Sequence, residues 1–207
     1  IIILRHLLTK LDTPDYPITP YTPTRLSLAL SEYKITKDAS RLLRELISRY
    51  YYDSCWNADS LSTGYPPLVQ IEPASRCNYR CIFCYQTDKS FSKSNSEHMG
   101  LMPLNLFKLI IDQIKDKVPY VTFASRGEPT LNPSLPQMLD YCKGKFLDVK
   151  INTNASLLNE EKINSILDVC NTVVFSIDTP NYEMYPNIRV GGKLERVMSN
   201  IKLFNRL

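Results

Sequence analysis

Downstream of residue 66, short apolar runs alternate with longer amphipathic stretches. Leu68-Val69-Gln70-Ile71 reads as a strand. Pro103 to Lys115 places Leu106, Phe107, Ile110 and Ile114 on one face, which predicts a helix with Pro103 suited to its first turn. Tyr120 to Phe123 reads as a strand, Leu135 to Cys142 as a helix, and Phe146 to Ile151 as a strand. Asn159 to Val169 reads as a helix, with Asn159 as N-cap and Glu160-Glu161 where the helix dipole favours carboxylates. Thr172 to Phe175 is a further strand. From Lys193, the residues Leu194, Val197, Met198, Ile201 and Phe204 recur at spacings of three and four, a helix still running at Leu207. Four strand-then-helix units in series predict a parallel sheet with right-handed crossovers, in an open doubly wound sheet or a (β/α) barrel.

Residues 1–64 follow another pattern. Pro14, Pro17, Pro20 and Pro23 recur every third residue, the period of polyproline II, and predict a stiff strap. A helix is expected from Thr24 to about Tyr33 and another from about Lys37 to Tyr52. Tyr50, Tyr51 and Tyr52, with Trp56 nearby, read as the packing face of that second helix. Ser62 to Pro67 then breaks the chain, so the boundary is expected near Gly64. The expected organisation is a mostly helical, Pro-rich extension at 1–64 and a main domain at 65–207. The start at Ile1-Ile2-Ile3 and the running helix at Leu207 predict a fragment of a longer protein, open at the edge after its fourth strand. The order of residues at the start does not match a signal peptide.

Of the 207 residues, 43% are hydrophobic, enough to bury a core. No apolar run reaches the roughly 18 residues that span a membrane. Lys+Arg number 25 against 21 Asp+Glu, a net charge of +4. That excess is mild and scattered, and argues against nucleic acid as a partner. No P-loop or Gly-x-Gly-x-x-Gly occurs, and Lys143-Gly144-Lys145 reads as a helix stop.

Three of the six cysteines crowd into Cys77-Asn-Tyr-Arg-Cys81-Ile-Phe-Cys84. Cys142 and Cys170 fall on apolar helical stripes and read as buried hydrophobes; Cys55 is undecided. Clustered thiols in a reducing, cytoplasmic setting read as ligands of zinc or of an iron–sulfur cluster. Structural zinc asks for a fourth ligand, such as Cys55 or His98, whereas His98 by itself reads as a solvated loop residue. The cysteine cluster follows the first strand, and Ser125-Arg126-Gly127-Glu128-Pro129 the second. Asn152-Thr153-Asn154 follows the third, and Ser176-Ile177-Asp178 the fourth. The C-terminal rim of a parallel sheet is where α/β folds bind ligands, so one composite site is expected there.

Cys77-x-x-x-Cys81-x-x-Cys84, with Phe83 before the last cysteine, resembles the signature of the radical SAM enzymes, over roughly Pro66 to Leu207. The resemblance implies a partial (β/α) barrel of that type, truncated after about four units. It implies that Cys77, Cys81 and Cys84 each hold one iron of a [4Fe–4S] cluster, whose fourth iron takes the amino and carboxylate groups of S-adenosylmethionine. Phe83 would lie near the adenine. Ser125, Gly127, Glu128 and Pro129 match the family's Gly-Gly-Glu-Pro turn, which supports the methionine amino group; Arg126 departs from it where glycine is often found. Asn154 and Ser176 match polar positions used for ribose and carboxylate, with Asp178 and Arg189 as further candidates. Arg189-Val-Gly191-Gly192 resembles a stretch in relatives with an auxiliary-cluster C-terminal domain and tilts the substrate toward a peptide or protein. The implied reaction is reductive cleavage of S-adenosylmethionine to a 5′-deoxyadenosyl radical, with an electron donor such as a flavodoxin or ferredoxin. The alternative from another class is a non-catalytic zinc or iron–sulfur protein, used for structure or electron transfer.

Overall fold

The computed structural model describes residues 33–37, 42, 65–66, 68–90, 92 and 99–207. The chain divides into two compact units, Ile1–Pro67 and Leu68–Leu207. In the first, residues 33–36 are helical and Lys37 ends the turn at φ 60. The polyproline strap, most of both expected helices, Cys55, Trp56, the Tyr50–Tyr52 face, Gly64 and His98 lie outside the described residues.

The second unit is built on four parallel strands: β1 (Leu68–Ile71), β3 (Tyr120–Phe123), β4 (Asp148–Thr153) and β5 (Thr172–Phe175), neighbours in that order. The order never reverses. With right-handed crossovers, every connecting helix therefore falls on the same face, the winding of a barrel rather than of a doubly wound sheet. The helices are α1 (Leu104–Ile114), α2 (Leu135–Cys142), α3 (Glu160–Val169) and α5 (Leu194–Arg206). They pack in series, α1 on α2, α2 on α3 and α3 on α5. A short helix α4 (Tyr185–Ile188) follows β5.

Phe107, Ile111, Phe123, Leu135, Met138, Leu139, Ile151, Ile163 and Ile166 are fully buried between helices and sheet. Each such side chain contributes roughly 1.5–3 kcal/mol on burial. The opposite face of the sheet is polar. Strand register places Gln70, Thr122, Lys150 and Thr172 side by side on it, while alternation sends Val149, Ile151 and Thr153 toward the helices.

Four elements match their expected bounds: β1, β3, β5 and α2. The other four, β4, α1, α3 and α5, differ at their ends. β4 runs Asp148–Thr153 instead of Phe146–Ile151: pairing with β3 starts at Asp148, opposite Tyr120, and pairing with β5 continues through Asn152 and Thr153. Pro103 is the N-cap of α1, with extended backbone, and not its first helical residue. Asn159 caps α3 as expected, its side chain accepting from the Lys162 N–H at 3.0 Å, so helical residues start at Glu160; Lys193 is likewise the N-cap of α5, which runs from Leu194 to Arg206.

Candidate cofactor site

The cysteine segment leaves β1 and is fastened to the far end of the unit. β2 (Arg80–Cys81) pairs antiparallel with β6 (Arg189–Val190), and the Ile82 N–H donates to the Ile188 carbonyl. Cys81 is buried, while Cys77 and Cys84 are partly exposed. Burial pushes the Cys77 and Cys81 thiols up from their usual range; the Tyr79 N–H opposes this at Cys77 and the Arg189 charge at Cys81. A thiolate at either place needs positive partners. Arg189 Nη1 reaches Cys81 Sγ at 3.7 Å, and the Tyr79 N–H donates to Cys77 Sγ at 3.4 Å. Asn154 Nδ2 lies 4.0 Å from Cys77 Sγ.

Asn154 ties the cysteine segment to the end of β4. Its Nδ2 donates to Asn78 Oδ1 at 3.0 Å, its Oδ1 accepts from Ser156, and Asn78 donates to Ser156 Oγ at 2.9 Å. Its N–H donates to Glu128 Oε2 at 2.7 Å. Glu128 is only 3% exposed, and its Oε1 accepts from the Thr130 N–H, Thr130 Oγ1 and Thr153 Oγ1. This carboxylate is engaged on both oxygens. It joins the turn after β3 to the end of β4 and leaves ligand contacts to the turn's backbone.

Gly127 sits where no side chain fits. A Cβ there would stand 1.9 Å from the Ala74 carbonyl oxygen and 2.5 Å from that of Arg76. Pro129 opens a buried 3-10 turn, Pro129–Leu131. Arg126 replaces the expected glycine and is held by Glu72 through its N–H at 2.7 Å and its guanidinium Nη2 at 2.7 Å.

On the other side, Arg189 Nε donates to Asp178 Oδ2 at 2.5 Å, and the guanidinium lies 5.4 Å from the Phe83 ring centroid. Phe83 itself is 62% exposed, open to a flat ligand group. Ser176 donates its N–H to the Thr153 carbonyl and stays at the rim. Thus Cys77, Asn154 and Glu128 form one linked set, and Cys81, Phe83, Asp178 and Arg189 another. Ser125, Gly127 and Pro129 line the same rim, and Ser176 stands beside β4's end.

Three non-glycine residues of this unit adopt positive φ among the described residues: Ser125 (128), Ala155 (61) and Asp178 (67). They follow β3, β4 and β5 within two or three positions. Strain of this kind costs about 1–3 kcal/mol per residue and clusters at functional sites. Glu72, Gln86, Asn78 and Ser156 belong to the site and carry no motif signal. Asn78 sits inside the cysteine spacing and Glu72 directly follows the first strand, which were the only pointers to them.

Three thiols on one segment, with an arginine and a backbone N–H reaching their sulfurs, form a soft donor set of the kind that suits an iron–sulfur cluster, which hydrogen bonds to sulfur tune.

A family model described as the Radical SAM superfamily matches residues 71–207. A probable GTP 3′,8-cyclase of Methanococcus maripaludis is 31% identical over 61% of this chain and 41% of its own length. The subtilosin biosynthesis protein AlbA of Bacillus subtilis is 26% identical over 68% of this chain and 31% of its own. The crystal structure of Streptococcus suis SuiB bound to the precursor peptide SuiA superposes with a TM-score of 0.58 at 20% identity, over 99% of this chain and 42% of that one. The chain spans less than half the length of the curated relatives it matches. Two thirds of the chain, including the three cysteines and every strand end that carries the site, thus fall within one family, and the chain belongs to the radical SAM superfamily.

Proposed function

We propose that this chain is the cofactor-binding portion of an enzyme that generates a 5′-deoxyadenosyl radical and acts on a peptide or protein. The superfamily uses a [4Fe–4S] cluster and S-adenosylmethionine. Cys77, Cys81 and Cys84 are the cluster ligands; three thiolates for four irons leave one iron for S-adenosylmethionine. Bound together, the two cofactors supply reductive cleavage of the sulfonium carbon–sulfur bond and removal of a hydrogen atom from substrate.

The residues around them bind and orient. Arg189 offsets negative charge at Cys81 and is itself aimed by Asp178. Asn154 presents a neutral amide N–H toward Cys77 Sγ. The backbone of Ser125 to Pro129, braced through Glu128, offers carbonyl acceptors to an ammonium group. Phe83 presents its exposed ring to the adenine, and Asn154 and Ser176 supply polar contacts to ribose and carboxylate. The single observation that carries this reading is the direct linkage of Cys77 through Asn154 to Glu128, which joins the cysteine segment to two strand ends.

Support for a peptide or protein substrate comes from two relatives. SuiB is bound to a precursor peptide, and AlbA serves bacteriocin biosynthesis. The electron comes from a carrier of the flavodoxin or ferredoxin class, and the reducing cytoplasm suits exposed thiols. No described helix is long and apolar enough to cross a membrane.

The test is anaerobic reconstitution with iron and sulfide, reduction with dithionite, and chromatography for 5′-deoxyadenosine. Formation by the parent chain and none by Cys81→Ser is expected. An iron-loaded, folded chain that never cleaves S-adenosylmethionine contradicts the reading.

A further inference from the structure

We infer that Gln86 is a positioning residue for S-adenosylmethionine, fixing the turn after β3 against the cysteine segment; the inference rests on the function proposed above. Gln86 lies two residues past Cys84 in a 3-10 turn, Tyr85–Thr87, and is fully buried. Both protons of its Nε2 are committed, to the Ser75 carbonyl at 2.9 Å and to the Arg126 carbonyl at 2.6 Å. Because only nitrogen can donate to two carbonyls, these partners fix the amide's orientation. Ser75 leads into the cysteines from β1, and Arg126 is in the turn after β3. One side chain therefore joins three segments of the rim.

The two peptide units that flank Arg126 are where this matters. The residue before it, Ser125, is held at φ 128, a conformation that a serine does not choose on its own. On one side Glu72 receives the Arg126 N–H; on the other Gln86 donates to the Arg126 carbonyl. Clamped at both ends, that carbonyl keeps one direction. The turn so fixed, Ser125 to Pro129, is the one proposed above to present backbone carbonyls to the ligand's ammonium group. Where the family often has glycine, this chain has arginine, and the Glu72–Gln86 clamp restores the fixed backbone.

Gln86 Oε1 is buried with no hydrogen-bond partner among the described residues, which a side chain chosen for stability alone avoids. Methionine fills nearly the same volume with no amide. It strands the Ser75 and Arg126 carbonyls, so some stability goes with it, and affinity per folded, cluster-bearing chain is the readout that separates the ligand effect.

The experiment compares the full chain and Gln86→Met after reconstitution with iron and sulfide. Iron content, the reduced EPR spectrum without S-adenosylmethionine, and S-adenosylmethionine affinity by equilibrium dialysis are measured. The expected result is unchanged iron and an unchanged cofactor-free spectrum. S-adenosylmethionine affinity per cluster should fall about tenfold, the loss of one well-placed hydrogen bond. Affinity per cluster within about twofold of the parent overturns the inference. So does loss of iron or of folded protein in step with binding, which assigns Gln86 to stability. A parent chain that fails to bind S-adenosylmethionine overturns the proposed function itself, so the two failures are distinct.

Discussion

Glu72 closes a fork on Arg126. Its Oε2 accepts from Arg126 Nη2 at 2.7 Å, both its oxygens lie 3.1 Å from Arg126 Nε, and its Oε1 also accepts the Arg126 backbone N–H at 2.7 Å. The pair bridges the ends of β1 and β3 at the point where this chain departs from the family's glycine. The Arg126 side chain is 37% exposed, so solvent screens the ion pair and little stability follows from it. Glu72→Ala is expected to lower unfolding stability by at most about 1 kcal/mol while weakening S-adenosylmethionine binding clearly. Urea denaturation and equilibrium dialysis separate the two. A large loss of stability with intact binding contradicts this division.

Gly127→Ala should be poorly tolerated. The added Cβ meets two backbone carbonyl oxygens, and neither can swing aside as a side chain tip can. Overpacking of this kind costs about 1–3 kcal/mol, and more where backbone is the obstacle. A variant as stable as the parent would show that the turn after β3 and the segment at 74–76 are not in contact in solution.

Glu128→Ala strands the Thr130 N–H, two threonine hydroxyls and the Asn154 N–H in a buried space. A destabilisation of about 1–3 kcal/mol is expected, together with weaker S-adenosylmethionine binding. Glu128→Gln keeps the shape and three of the acceptor contacts, so it should fall between alanine and the parent in both measurements. Equal effects of Ala and Gln would show that the carboxylate's charge, not its hydrogen bonding, matters.

Two cysteines away from the site give a prediction about pH. Burial pushes the Cys142 and Cys170 thiols up to about 12, from 9.0. Above pH 9 the unfolded chain loses these protons while the folded chain keeps them. Stability is therefore complete below pH 9 and falls between pH 9 and 12, by about 1.4 kcal/mol per pH unit for each thiol. The Cys142→Ala/Cys170→Ala chain should lose roughly 3 kcal/mol less than the parent between pH 8 and pH 10, measured by urea denaturation. Equal losses would place these thiols in contact with solvent.

Much of this was legible in the residues. The short apolar run at Thr172 to Phe175 and the three-and-four spacing in Leu135 to Cys142 define elements whose bounds match the structure. The cysteine spacing and the polar residues at each strand end located the rim. What stayed hidden has physical causes. β2 and β6 are two residues each, too short to show a period, and they pair over a long separation in the chain. The Phe146-Leu147 pair looks like strand, but β3 begins at Tyr120, so the first residue of β4 with a partner is Asp148. Glu128 reads as a ligand contact, yet its engagement by Thr130, Thr153 and Asn154 depends on three-dimensional neighbours. The clamp on Arg126 by Glu72 and Gln86 joins segments 40 or more residues apart, and no local pattern encodes it.

The most direct measurement is EPR of the anaerobically reconstituted and reduced chain, with and without S-adenosylmethionine, beside Cys81→Ser. The structure predicts a reduced [4Fe–4S] signal that changes when S-adenosylmethionine is added, and no such cluster in the Cys81→Ser chain, which remains folded. A cluster indifferent to S-adenosylmethionine, or one that assembles fully without the Cys81 thiol, would contradict the assignment of Cys77, Cys81 and Cys84.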